Sequence, residues 1–194
     1  MLMTKTPMND HHELVESHHR FATLTVCDEV WEFDHLEAFV MKVSVDLSPN
    51  QAVDLDVIVL FSNHCFTRGL VTPDELVDES LIVMDGSEPR VLDRERYQLS
   101  RQYLPQLILE LLTRHVQVAD PTRPSFVTFE LPSMATGEPS IRYAVFFEVK
   151  RDRKRKRRML LRVQSAYILD EPSKRLLKAD KMRFQMILKR AYAS

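Results

Sequence analysis

The five consecutive apolar residues Val57 to Phe61 constrain this chain more than any other segment. A strand with one wet face alternates apolar and polar side chains. A strand that is apolar without interruption is covered on both faces. The run therefore predicts a central strand in a sheet with material on either side. Its neighbours read as sheet too. Phe21, Thr23 and Thr25 alternate with Ala22, Leu24 and Val26. Asp28-Glu29 is the expected turn before a return strand carrying Val30, Trp31 and Phe33. In residues 37–47, Phe39, Met41, Val43 and Val45 alternate with Val40, Lys42, Ser44 and Asp46, and "SPNQ" then reads as a turn.

Helical spacing enters at residues 93–116, where Leu104, Leu107, Ile108, Leu111 and Leu112 form an apolar stripe. Pro105 lacks an N–H and predicts a kink or break there. "TPDEL" predicts a short helical turn with Thr72 as N-cap and Pro73 first inside. Three further strands are expected at 125–131, 142–149 and 158–170, the last two joined by the basic tip "KRDRKRKR" as an antiparallel hairpin. Residues 178–193 read as a basic amphipathic helix with Phe184, Ile187, Leu188 and Ala191 on one face. The expectation is one α+β domain over residues 20–194: a mostly antiparallel sheet, one long kinked helical segment and a C-terminal helix. Residues 1–19 are expected to be a flexible arm. Their His11, His12, His18 and His19 do not make H-E-x-x-H, because Glu16 stands where the second His would be, so no metal site is expected.

Two cysteines give no disulfide framework, which fits a reduced, cytoplasmic setting. No apolar run approaches membrane-spanning length, so no membrane partner is expected. Three glycines leave no Gly-rich phosphate loop, and no cofactor is expected. The net charge of -1 hides a division. Residues 141–194 hold 17 Lys or Arg against 5 Asp or Glu, while the first 140 hold 10 against 23. The basic end either meets nucleic acid or folds against the acidic part.

"FSNHCFTRG" (61–69) ends the central strand. If alternation persists, Ser62, His64 and Phe66 face one way and Asn63, Cys65 and Thr67 the other. His64 and Cys65 then part, and a Cys–His pair is not expected. His64 is either a general acid or base or a histidine tied to backbone at a strand end. In the 158–170 strand, Arg162 and Gln164 share a face. Arg162 offers a planar fork of donors to a phosphate, or lies on a solvated surface. At the tip, Arg153, Lys154, Arg155, Lys156, Arg157 and Arg158 would attract a phosphate backbone, giving affinity without sequence readout since no aromatics are interleaved. A solvated tip is the alternative.

The series W-x-F-D-H-L (31–36), S-N-H-C-F-T (62–67), R-Y-x-L-S (96–100) with L-P (104–105), and V-Q-S-A-Y-x-x-D (163–170) resembles a family of small bacterial proteins that carry stress-type labels. The resemblance spans roughly residues 21–170. Ser165-Ala166-Tyr167 is more distantly similar to an element of barnase, EndoU, colicin and RelE-like ribonuclease domains. That likeness implies metal-independent RNA cleavage by His64, Arg162 and Ser165, with Arg68 and Arg96 as phosphate contacts. The expected function is a nucleic-acid-binding protein, ribonuclease-like toxin or stress factor, with RNA or DNA as partner. The alternative is a non-enzymatic immunity or adaptor module with a protein partner.

Overall fold

The computed structural model describes residues 21–72, 75–118, 125–131, 141–170 and 179–193. The expected arm at 1–19 and the first residues of the predicted "TPDEL" turn, Pro73 and Asp74, lie outside them.

Alternation at the start of the described chain gives a small hairpin, β1 (Leu24–Val26) and β2 (Glu29–Trp31). Its turn is Cys27-Asp28, not the expected Asp28-Glu29. Both turn residues have positive φ, 48° and 63°. Tight hairpin turns that match strand twist need this conformation, and Asn-Gly adopts it most readily. An L-residue there costs roughly 1–2 kcal/mol. Replacing Cys27-Asp28 by Asn-Gly is expected to stabilise the fold by about 1 kcal/mol, read as a raised urea midpoint at constant slope. No rise would mean that the turn holds no such strain.

The long strands β3 (Phe39–Ser48) and β4 (Gln51–Phe61) pair antiparallel. Two further sheet strands, β10 (Ile141–Arg151) and β11 (Arg158–Ile168), form the predicted hairpin. The seven-stranded sheet is completed by β8 (His115–Val118), β9 (Ser125–Leu131) and β12 (Asp180–Arg183), in the order β12-β8-β9-β10-β11-β4-β3. Every pairing is antiparallel except β11 on β4, where Arg158 to Val163 run parallel to Asp56 to Phe61. The fold is α+β. Between β4 and the helix, β5 (Thr67–Arg68), β6 (Ile82–Asp85) and β7 (Glu88–Leu92) make a separate three-stranded sheet.

Helix α1 (Arg94–Glu110) starts at Asp93, whose carboxylate caps the Arg96 N–H at 3.0 Å. It continues past Pro105, so the expected break does not occur. It ends in a 3-10 turn, and the chain re-enters the sheet at β8, the start of which the helical reading of 93–116 had absorbed. Likewise Asp180–Arg183 is an edge strand, and α2 (Phe184–Ala193) begins only after it. Both helices pack on one sheet face, where Phe39, Met41, Val57, Val59, Leu161 and Val163 meet Leu104, Ile108, Phe184 and Leu188. On the opposite face Val40, Ile58 and Leu60 form a second small cluster with Ala38 and Leu160. The Val57 to Phe61 run is thus buried from both sides, as its composition requires. Among the described residues no helix is long and apolar enough to cross a membrane.

Candidate functional site

Beyond Phe61 the strand stops, because Asn63–Cys65 close a 3-10 turn. Ser62 fixes that turn. Its hydroxyl accepts the His64 N–H at 3.1 Å and donates to the Gln164 carbonyl at 2.6 Å, while its own N–H donates to the Val163 carbonyl at 3.0 Å. Strand alternation therefore does not govern this segment. His64 and Cys65 still part, for a different reason: the turn buries Cys65 completely and leaves the His64 side chain 33% exposed. Burial pushes the Cys65 thiol up to about 12, against a smaller lowering from its contact with the Ser62 backbone and from Arg96. A thiol held in that state is no nucleophile.

On β11 a bulge does comparable work. Phe146 pairs with Ser165 and Phe147 with Val163, so Gln164 is the extra residue. Met159, Leu161 and Val163 are buried, and so is Ala166, one position out of phase. The slip brings Ser165, which alternation would place opposite Arg162, onto the side of Arg162 and Gln164. Bulges commonly re-aim side chains beside active sites.

The outcome is a cleft of about 710 Å³ at the carboxyl end of β4. One wall carries Ser62, Asn63, His64, Arg162, Gln164 and Ser165. The apolar wall includes Phe21, Leu24, Phe33 and Phe66, and the β6–β7 turn supplies Asp85 and Gly86. Phe66 meets the Phe33 ring at 4.4 Å and the Phe21 ring edge-on at 4.9 Å. Gly86 has φ +61°, which a two-residue hairpin with glycine first requires. That turn holds Asp85 so that its Oδ2 lies 2.7 Å from His64 Nε2. A carboxylate can only accept, so Nε2 carries the proton and Nδ1 is left as the basic atom of the ring. Arg162 Nε is buried and has no hydrogen-bond partner among the described residues. An unpartnered buried donor is costly unless a ligand or water satisfies it.

The structure thus brings His64, Arg162 and Ser165 into one cleft. It adds Asp85 and Asn63, which sequence reasoning missed. Asp85 sat in "MDG", legible as a turn, but nothing in the sequence tied that turn to His64. The other site candidates lie elsewhere. Arg68 is held by Glu75 through two bonds, at 2.6 and 3.1 Å. Arg96 donates to the Thr67 carbonyl at 2.8 Å and lies 4.7 Å over the Tyr167 ring. Neither lines the cleft. At the tip, Arg153, Lys154, Arg155, Lys156 and Arg157 are exposed, whereas Arg158 is buried against Asp152. Seven residues of β11 put the tip about 23 Å from Ser165 at ~3.3 Å per residue. Among the described residues no three His, Cys, Asp or Glu side chains gather to hold a metal ion.

Compared with known proteins, residues 23–192 match the family described as the YjaZ family. No curated protein and no solved structure matches the chain.

Proposed function

The chain belongs to the YjaZ family, and we propose that its cleft cleaves the phosphodiester backbone of RNA by acid–base chemistry. The observation that carries this reading is the His64–Asp85 pair sharing one cleft with the unpartnered Arg162 Nε. RNA brings its own nucleophile in the ribose 2′-hydroxyl, so the protein needs a base, a cation and a binding wall. His64 Nδ1 takes the 2′-hydroxyl proton, with Asp85 fixing the ring and stabilising the imidazolium that forms. The bond from the 2′-oxygen to phosphorus forms as the bond to the 5′-oxygen breaks, leaving a 2′,3′-cyclic phosphate. The departing 5′-oxygen takes a proton from water, and the imidazolium returns its own to solvent. Arg162 holds the phosphate oxygens where charge accumulates. Ser165 and Gln164 supply further polar contacts, and the Phe21 side of the cleft offers an apolar surface for a base.

The test is cleavage of a single-stranded RNA with purified protein in the presence of a chelator. Wild type is expected to yield 2′,3′-cyclic phosphate ends. His64→Ala is expected to lower kcat/KM by about 10²–10⁴-fold, and Arg162→Ala by about 10²-fold. A substrate with one 2′-deoxy sugar at the scissile position should resist. No cleavage by wild type at any ionic strength would sink the reading and leave the cleft to a non-catalytic binding module.

A further inference from the structure

The tip between β10 and β11 is built rather than loose. Asp152 lies at its centre, buried with Arg158. Arg158 donates from Nε at 2.7 Å and from Nη2 at 2.6 Å to the same Asp152 oxygen. The other carboxylate oxygen accepts the Lys154 N–H at 2.9 Å, and the Asp152 N–H donates to the Arg158 carbonyl at 3.0 Å. Arg157 takes a positive φ of 63° to close the turn. One side chain therefore fixes both ends of the turn and neutralises Arg158, the buried cation among residues 150–158. Arg151 anchors the base of the tip to α2, donating to the Tyr192 carbonyl at 3.0 Å and stacking 4.7 Å over the Tyr192 ring. What remains is a hollow of about 520 Å³ walled by Lys150, Arg151, Arg153, Arg155 and Lys156, with Val149 and Asp152 completing the lining.

Holding like charges around a hollow is unfavourable in itself, and a bound anion relieves it. Asp152, the one acid lining the hollow, is already committed to Arg158, while Lys150 is paired with Glu148 across 2.8 Å, so a bound anion would rest chiefly on Arg153 and Lys156. Arg162, the cleft residue nearest the tip on β11, lies four residues or ~13 Å from Arg158, and the hollow and the cleft share no lining residue. Residues 150–157 carry no apolar side chain, so nothing there could enter the acyl boundary of a membrane as interfacial segments do. Nor is there an aromatic ring to stack on a base. We infer that the β10–β11 tip is a preformed cup for the sugar-phosphate backbone of nucleic acid, read without regard to sequence. It stands independently of whether the cleft cleaves anything.

The experiment uses the full chain carrying His64→Ala, so that binding is measured without cleavage. A fluorescent single-stranded RNA 20-mer is titrated by anisotropy across salt concentrations. About four phosphate contacts predict a log–log salt slope near −3, at ~0.7 per contact for single strands. Adding Arg153→Glu and Lys156→Glu is expected to weaken binding at least tenfold at low salt and to flatten the slope by about 1.4. A control with Lys42→Glu and Lys181→Glu makes the same change in net charge at exposed strand positions, and should stay within twofold of the parent. Equal losses in both variants would overturn the cup in favour of diffuse charge. Absence of RNA binding, with retention on phosphatidylserine vesicles, would overturn it in favour of a membrane surface.

Discussion

A chain carrying Trp31→Ala is expected to be less stable than wild type by about 3–5 kcal/mol. Trp31 is fully buried and lies flat on Tyr97, with centroids 4.2 Å apart and planes 4° from parallel. The Tyr97 hydroxyl accepts the Glu32 N–H and donates to the Glu32 carbonyl, both at 3.1 Å, and also accepts from Arg101 at 2.9 Å. Close by, the Ser100 hydroxyl donates to the Tyr97 carbonyl at 2.8 Å. Its one proton is thereby used, so His35 Nε2 must donate to Ser100 Oγ across 2.9 Å. Removing the indole leaves a cavity under this set and withdraws its stacking partner, because close-packed surroundings relax only in part. Urea denaturation measures the loss, and Trp31→Phe should recover part of it. A loss below about 1 kcal/mol would mean that the site collapses around the smaller side chain.

The second large effect is at the tip. Asp152→Ala leaves the Arg158 guanidinium buried without its counter-charge, a defect that costs about 3–5 kcal/mol when fully buried. With side chains 9% and 7% exposed, this pair should fall near 3 kcal/mol. Asp152→Ala combined with Arg158→Met is expected to lose less than Asp152→Ala alone, because the orphaned charge goes too. The pH dependence follows from the carboxyl. Burial alone would raise it; the Lys154 N–H and the Arg158 guanidinium outweigh burial and hold it below its ordinary value. A group depressed in the folded state stabilises the fold fully above its unfolded pKa, near 4, and that contribution fades as pH falls through the folded value. The gap between wild type and Asp152→Ala should therefore be widest above about pH 5 and narrow in acid. A gap independent of pH would show that charge is not what Asp152 contributes.

The long strands were legible because one face of each is buried, and burial writes a period of two into the sequence. The W-x-F-D-H-L and R-Y-x-L-S segments, 65 residues apart, are the two sides of the Trp31, His35, Tyr97 and Ser100 contact set. Their spacing gave no hint of that contact, since pairing across such a distance leaves no local period. The start of β8 and the whole of the edge strand β12 fall inside helical readings because four residues beside an amphipathic run carry too little pattern. Their mutual pairing, Asp180 with Val118 to Arg183 with His115, and the pairing of β8 with β9 define them. At the cleft, His64 and Arg162 stood out by residue type. Ser165 reaches the same wall through a one-residue bulge, and Asp85 arrives from the turn of a second sheet. Tertiary structure alone makes those two placements.

The parallel pairing of β4 with β11 also governs how the chain is born. Phe61 and Val163 are partners 102 residues apart, and non-local pairing of this kind folds slowly. On a ribosome adding about 5–20 residues each second, β4 emerges roughly 5–20 s before β11 exists. For that interval β3 can shield only one edge of Val57 to Phe61. The other edge is an unpaired, uncharged ribbon of the kind that recruits neighbouring chains. A segment buried from both sides in the finished protein is thus an exposed liability during synthesis, and chains stalled between residues 62 and 158 are the ones expected to aggregate or to occupy chaperones.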